Sequence, residues 1–259
     1  MRVAEAGEQD KLLNYLKKNI VDCIYLYVDI SNHGISSDHI TVWIEEDHQA
    51  IQLIVMKYYD SFQIYSHNET SDLKNVLPLL QKYTVPMISA PPWMIKRLAE
   101  KCLLYRASYG EIFLMDTYRK IEPAFQIERA KETETEEIAR LICKDQDIGG
   151  HYEVKNLAMQ LTDRIRTGTG RSYIIRKSGE IIAHSAVYAE TREIAVVGGT
   201  IISPCFRDSD YYFMLSNYML QELLKEGKTV YTFSSSPQMI RYHRMLHKPC
   251  GEYGKLELK

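Results

Sequence analysis

Five cysteines, Cys23, Cys102, Cys143, Cys205 and Cys250, are the first residues to test for chemistry, and their spacing is wide and irregular. There is no CxxC pair and no Cys/His cluster of zinc type, so no metal site is expected, and an odd number of scattered thiols suits a reducing cytoplasm. Cys205 would act as a nucleophile only beside a base that drew off its proton, and the sequence offers it none. His184 lies in a strand-like run and titrates in the range that proton transfer needs. Tyr242 and His243 are neighbours on a helical stretch. Adjacent helical positions point about 100° apart, so only one of the two can face a given reactant. Gly198-Gly199 interrupts an apolar strand pattern, which marks either a bulge or tight packing, or a place where another backbone comes close.

The rest of the composition narrows the partners. The chain has 259 residues, 45% hydrophobic and 25% charged, with a net charge of -2. It is long enough for two ordinary domains and carries no basic footprint for nucleic acid or an anionic membrane. Its 19 tyrosines against six phenylalanines read as half-buried sheet residues rather than a stacking surface. Nowhere do about 18 apolar residues follow one another, so a soluble, cytoplasmic protein is expected.

The elements that must position these residues follow from periodicity. Residues 10–19 place Leu12, Leu13, Leu16 and Ile20 on one helical face. Strands are predicted over 22–30, 40–46, 50–59 and 62–66, a helix capped by Ser71 to about 83, a strand over 85–89, a helix opened by Pro91-Pro92, and a strand over 109–116. Charges and Pro123 mark a boundary at 117–124, which divides the chain into domains 1–120 and 121–259. In the second, a strand at 125–130 precedes a helix capped by Thr133 or Thr135 and another over 154–166. Strands at 172–177, 180–189 and 193–203, a helix over 208–225, a strand at 229–233, a helix from 237 to about 246 and a strand near 252–258 complete the order β-α-α-β-β-β-α-β-α-β.

That order resembles the GNAT superfamily of N-acyltransferases over 125–259, and the run VGGTIISPCFRDSDYY (197–212) carries the resemblance most specifically. Pro204, Phe206 and Arg207 match the family's strand-end phrase. The resemblance implies an α+β mixed-sheet fold, with the backbone of Thr200, Ile201, Ile202 and Ser203 pairing with the pantetheine arm of acetyl-CoA. It also implies that the helix start at Arg207, Asp208, Ser209, Asp210, Tyr211 and Tyr212 cradles the pyrophosphate, because amides there lack internal partners and the dipole is positive. Asp210 stands where the family has glycine and Tyr212 where it has a small residue. A carboxylate beside a phosphate opposes binding, although acidic residues in a first helical turn also complement the dipole. The stretch TVYTFSSSPQMIRYHRMLHKPCGEYGKLEL is similar to the family's closing strand, helix and strand, with Ser235 or Ser236 in place of Asn. There the resemblance implies a general acid for the departing thiolate, Tyr242 in one register and His243 in the other. It also implies a base, Glu193 at the head of the central strand, with His184, Tyr188 and Glu190 as weaker candidates.

The order of elements in the first half is similar to a degenerate GNAT-like domain. The function implied is transfer of an acetyl or other acyl group from CoA to a primary amine of a small molecule or peptide by direct attack. The alternative is an inactive GNAT scaffold that serves as a ligand-binding or interaction module. Neither nucleic acid nor membrane is expected as a partner.

Overall fold

The computed structural model describes residues 1–259 except 38, 121, 123–124, 146–147, 151 and 208–209. The described residues form two compact units. One comprises Met1–Phe113, Ser234–Met245 and Pro249–Lys259, and the other Leu114–Phe233 and Leu246–Lys248.

The first half of the chain contains β1 (Arg2–Val3), α1 (Gln9–Leu16), α2 (Ile24–His33), β2 (Ser36–Ser37), β3 (Ile40–Asp47), β4 (Ala50–Tyr58) and β5 (Ser61–Tyr65). It continues with α3 (Leu77–Lys82), β6 (Met87–Ala90), α4 (Pro92–Ala99) and β7 (Tyr105–Leu114). The second half repeats this order with β8 (Glu128–Arg129), α5 (Thr135–Cys143), α6 (Val154–Thr167), β9 (Arg171–Lys177), β10 (Glu180–Glu190) and β11 (Ile194–Ile202). It ends with α7 (Tyr211–Lys225), β12 (Thr229–Ser234), α8 (Pro237–Leu246) and β13 (Lys248–Leu258). Apart from the two-residue β2, both halves run β-α-α-β-β-β-α-β-α-β.

The predicted strand over 22–30 is instead helix α2. Ile, Tyr and Val favour strands, but packing overrides that preference: Leu26 and Ile30 bury against Ile40, Val42 and Ile54 of the neighbouring strands. Gly34, at φ +75°, ends the helix and returns its N–H to the Ile30 carbonyl. Ser71 caps no helix; its hydroxyl meets that of Ser66 at 2.8 Å, and the helix starts later, at Leu77.

Within the first unit the strand order is β1-β3-β4-β5-β6-β13-β7, with β2 on β3. The last strand of the chain thus completes this unit's sheet, Gly254 to Glu257 pairing antiparallel with Ala90 to Met87. Two features fix it there. Leu256 is fully buried in the core around Phe62, Ile88 and Ile95, and Gly254 faces Ile95, whose Cγ1 a Cβ would meet at 2.8 Å.

The second unit has the order β12-β11-β10-β9-β8. Its sheet is covered on both faces, as strand alternation requires. Leu215, Met219, Leu220 and Leu223 of α7 pack on one face with Tyr173, Ile175, Ala195 and Val230. On the other, α5 and α6 bring Ile138, Ile142, Leu157 and Leu161 onto Ile174, Ile181 and Ile201. Full burial of a side chain such as Ile138 stabilises by about 1.5–3 kcal/mol. The Ser178-Gly179 turn joins β9 to β10 with positive φ at both residues, 52° and 87°, as a two-residue hairpin needs.

Candidate active site

The site is built on β11. This strand pairs in parallel with β12 over four rungs, from Ile194 opposite Thr229 to Val197 opposite Thr232, and the ladder ends there. β11 itself continues to Ile202, so its backbone from Gly198 onward runs beside an opening in the sheet. On its other side β11 stays paired with β10, but the register shifts twice. Between the His184–Ile201 and Ala186–Gly198 pairs, β11 carries one extra residue, at Gly199-Thr200, and Gly199 has φ +61°. Between Val187–Val197 and Ala189–Val196, β10 carries one extra residue, Tyr188. Bulges bend a strand and re-aim side chains, and these two flank the rung where the parallel ladder stops.

The Tyr188 ring lies over the two glycines. A Cβ on Gly198 would sit 3.1 Å from its Cε2, and one on Gly199 only 2.0 Å from its hydroxyl oxygen. The Gly198-Gly199 pair is therefore a bulge with an aromatic seated on it. The Arg164 guanidinium of α6 stands 5.9 Å from the ring centroid. Burial pushes the Tyr188 hydroxyl's pKa up and Tyr152 adds to this, while Arg164 works against it.

His184 is fully buried, and its Nε2 is 3.0 Å from Ser172 Oγ. Its Nδ1 has no hydrogen-bond partner among the described residues. Burial lowers its pKa to about 4, opposed by the Gly199 carbonyl, so it is a neutral structural imidazole at physiological pH. Thr200 Oγ1 ties the sheet to α7, lying 2.8 Å from Ser185 Oγ and 3.2 Å from Ser216 Oγ.

Ile201 and Ile202 are buried strand residues, and Ser203 starts the loop that leads through Pro204–Phe206 toward α7. Arg207 Nη2 donates to Asp145 Oδ2 at 3.1 Å and Nε to the Ile202 carbonyl at 3.4 Å, which ties the loop to the strand end. Asp208 and Ser209 lie outside the described residues. Asp210 is the N-cap residue of α7; it is exposed and makes no side-chain cap hydrogen bond among the described residues. Tyr211 and Tyr212 pack against the unit's apolar core, Tyr211 with its ring 4.7 Å from that of Phe125.

Two of the carboxylate candidates lie toward the paired end of β11, away from the opening. Glu193 precedes β11 at the paired end, its carbonyl accepting from the Thr229 N–H; six residues separate it from Gly199, about 20 Å of strand. Glu190 is buried and committed to cations: Arg171 forks onto it at 2.6 Å from Nε and Nη2, and Lys228 Nζ lies 3.1 Å away. Ser235, Ser236, Tyr242 and His243 belong to the first unit. There His243 is buried with its ring 5.3 Å from Phe113, whereas its neighbour Tyr242 is partly exposed. Tyr188, a weak base candidate in the sequence, is carried onto the glycines by the two register shifts.

Among the described residues no group of three or more His, Cys, Asp and Glu side chains is placed to hold a metal ion, and no helix is long and apolar enough to cross a membrane.

A parallel pair that parts midway, a bulged central strand and a helix start beyond it belong to a fold that solved structures, several of them of GNAT proteins, share over the whole chain. No family sequence model matches the chain, and no curated protein matches it in sequence. A Drosophila protein superposes with a TM-score of 0.74 at 12% identity, covering 100% of this chain and 98% of that one. A tandem GNAT protein from the clavulanic acid biosynthesis pathway gives 0.61 at 11% identity, covering 100% and 98%. A GCN5-related N-acetyltransferase-like protein from Streptococcus suis gives 0.62 at 11% identity, covering 98% and 100%. The resemblance of both halves to GNAT domains, the first as well as the second, is thus shown at the level of the fold.

Proposed function

We propose that the protein transfers an acyl group, acetyl in the simplest case, from a CoA thioester to a primary amine by direct attack. The observation that carries this reading is the end of the β11–β12 ladder at Val197 and Thr232 while β11 runs on to Ile202. Strand edges left without a neighbour can accept an extended amide-bearing chain, and a pantetheine arm is one.

The residues present fit acyl-CoA in most respects. Gly198–Ile202 would pair with the pantetheine arm, the amides at the start of α7 would face the pyrophosphate, and Arg207 would supply a cation beside it. When bound, the cosubstrate supplies an activated acyl carbon. The amine loses a proton, directly or through water, and attacks that carbon. The thiolate takes up a proton, and of the α8 pair that the family resemblance offers for this Tyr242 is the more exposed, His243 being buried in its own core. The protein works in the cytoplasm, which suits five cysteines that form no disulfide among the described residues.

One observation favours a second reading, a scaffold that binds without catalysis. The exposed Asp210 carboxylate, which makes no cap hydrogen bond among the described residues, stands at the helix start where an anion would sit. Thermal unfolding with added acetyl-CoA separates the two. Under the enzyme reading the midpoint rises saturably, since a ligand that selects the folded state stabilises it by mass action. No shift at millimolar concentration contradicts it.

A further inference from the structure

The phenol of Tyr188 has no part in acyl transfer as proposed above, yet its oxygen lies 2.0 Å from where a Cβ of Gly199 would stand. Its residue is the one extra residue of β10 at that register shift, so backbone geometry, not a flexible rotamer alone, directs the ring across the strand. Gly199, with φ +61° and no Cβ, leaves the space that the hydroxyl fills. Among the described residues this hydroxyl has no hydrogen-bond partner. It lies one residue beyond Gly198, which follows the last β11–β12 rung at Val197, and thus at the closed end of the opening.

Length along the strand says what would reach it. If the pyrophosphate lies at the start of α7, the pantetheine arm runs back along β11 from Ile202. Four residues of strand, roughly 13 Å, bring it to Gly198. The acyl end of the arm then meets Tyr188.

We propose that the Tyr188 hydroxyl donates a hydrogen bond to the carbonyl oxygen of the bound thioester and to the oxyanion that forms from it. The inference rests on the acyl-CoA reading above. As the amine attacks, the C–N bond forms and the carbonyl π pair moves to oxygen. On collapse the pair returns, the C–S bond breaks with its electrons on sulfur, and the thiolate takes up a proton while the nitrogen gives one up. Tyr188 keeps its proton throughout. Burial favours this, because it raises the phenol's pKa and keeps the donor form present at neutral pH. A donor fixed before the reaction, in a site shielded from water, stabilises charge where it develops.

The test needs no knowledge of the acceptor. Two inert analogues are titrated calorimetrically into the full chain and into its Tyr188→Phe variant. One is the amide analogue of acetyl-CoA, in which NH replaces the thioester sulfur and the carbonyl is kept; the other is S-ethyl-CoA, which lacks the carbonyl. A single neutral hydrogen bond predicts that the variant binds the amide analogue roughly three- to tenfold more weakly and S-ethyl-CoA equally well. Equal weakening of both would assign Tyr188 a packing role, and no weakening of either would show that it does not touch the acyl group; each result overturns the inference alone. Failure of the wild-type chain to bind either analogue would overturn the acyl-CoA reading and this inference with it.

Discussion

The Tyr188 hydroxyl oxygen lies where a Cβ of residue 199 would be, 2.0 Å from that ideal position, so the phenol and the glycine specify each other. Gly199 also carries a φ of +61°, which costs a residue with a Cβ about 1–2 kcal/mol. Gly199→Ala is therefore expected to destabilise the protein by about 2 kcal/mol or more and to displace the Tyr188 ring. Urea unfolding measures the first effect and a structure of the variant the second.

A buried ionic cluster closes the far end of the same sheet. Glu190 and Lys228 are 5% and 8% exposed, and Arg171, 17% exposed, bridges Glu190 to Glu226. Removing one partner leaves buried charge without compensation. Glu190→Gln should cost about 3–5 kcal/mol in denaturant unfolding, whereas Arg140→Gln, which breaks an exposed pair with Glu136, should cost under about 1 kcal/mol.

His184 makes stability depend on pH. Its pKa is lowered by burial from 6.5 to about 4, so below pH 6.5 the unfolded chain takes up a proton that the folded chain refuses. The stabilisation from neutral His184 is complete above about pH 6.5 and is lost progressively down to about pH 4, in total about 3 kcal/mol. Unfolding free energies across that window should show the loss, and His184→Gln should flatten it.

Much of this was legible in the sequence, and the misses have physical causes. The second half's order of elements, the loop from Pro204 to Arg207 and the helix from Pro237 to Leu246 follow from apolar periodicity, proline and glycine. The strand expected at 22–30 failed because β-branched and aromatic residues state a preference that packing on β3 and β4 reverses. Which end of β11 parts from β12, and so how far Glu193 stands from the opening, shows only in the strand pairing. Tyr188 stood in the sequence only as a weak base candidate. Only the two register shifts, which depend on pairing across strands, bring it onto Gly199.

Asp210 sits exposed at the start of α7 and is expected to oppose a bound pyrophosphate. Exposure limits the penalty to about 1 kcal/mol for charges 4 Å apart in water. Asp210→Gly should therefore tighten acetyl-CoA binding about fivefold, as read by calorimetry. Weaker binding would mean that the carboxylate organises the loop.

Tyr242 and His243 should part in their effects. Tyr242→Phe is expected to lower turnover by about a hundredfold with acetyl-CoA affinity retained, the mark of an interaction made in the transition state. His243→Ala, which removes a buried ring beside Phe113, should chiefly lower the unfolding free energy.

The central claim is that acyl-CoA enters the sheet where β11 and β12 part. Hydrogen exchange of backbone amides, with and without saturating acetyl-CoA, tests it most directly. The account predicts slower exchange confined to residues 198–202 of β11 with Ser203 after it, and to 211–214 at the start of α7. Unchanged exchange in both segments at millimolar acetyl-CoA, or protection only in other segments, would contradict it.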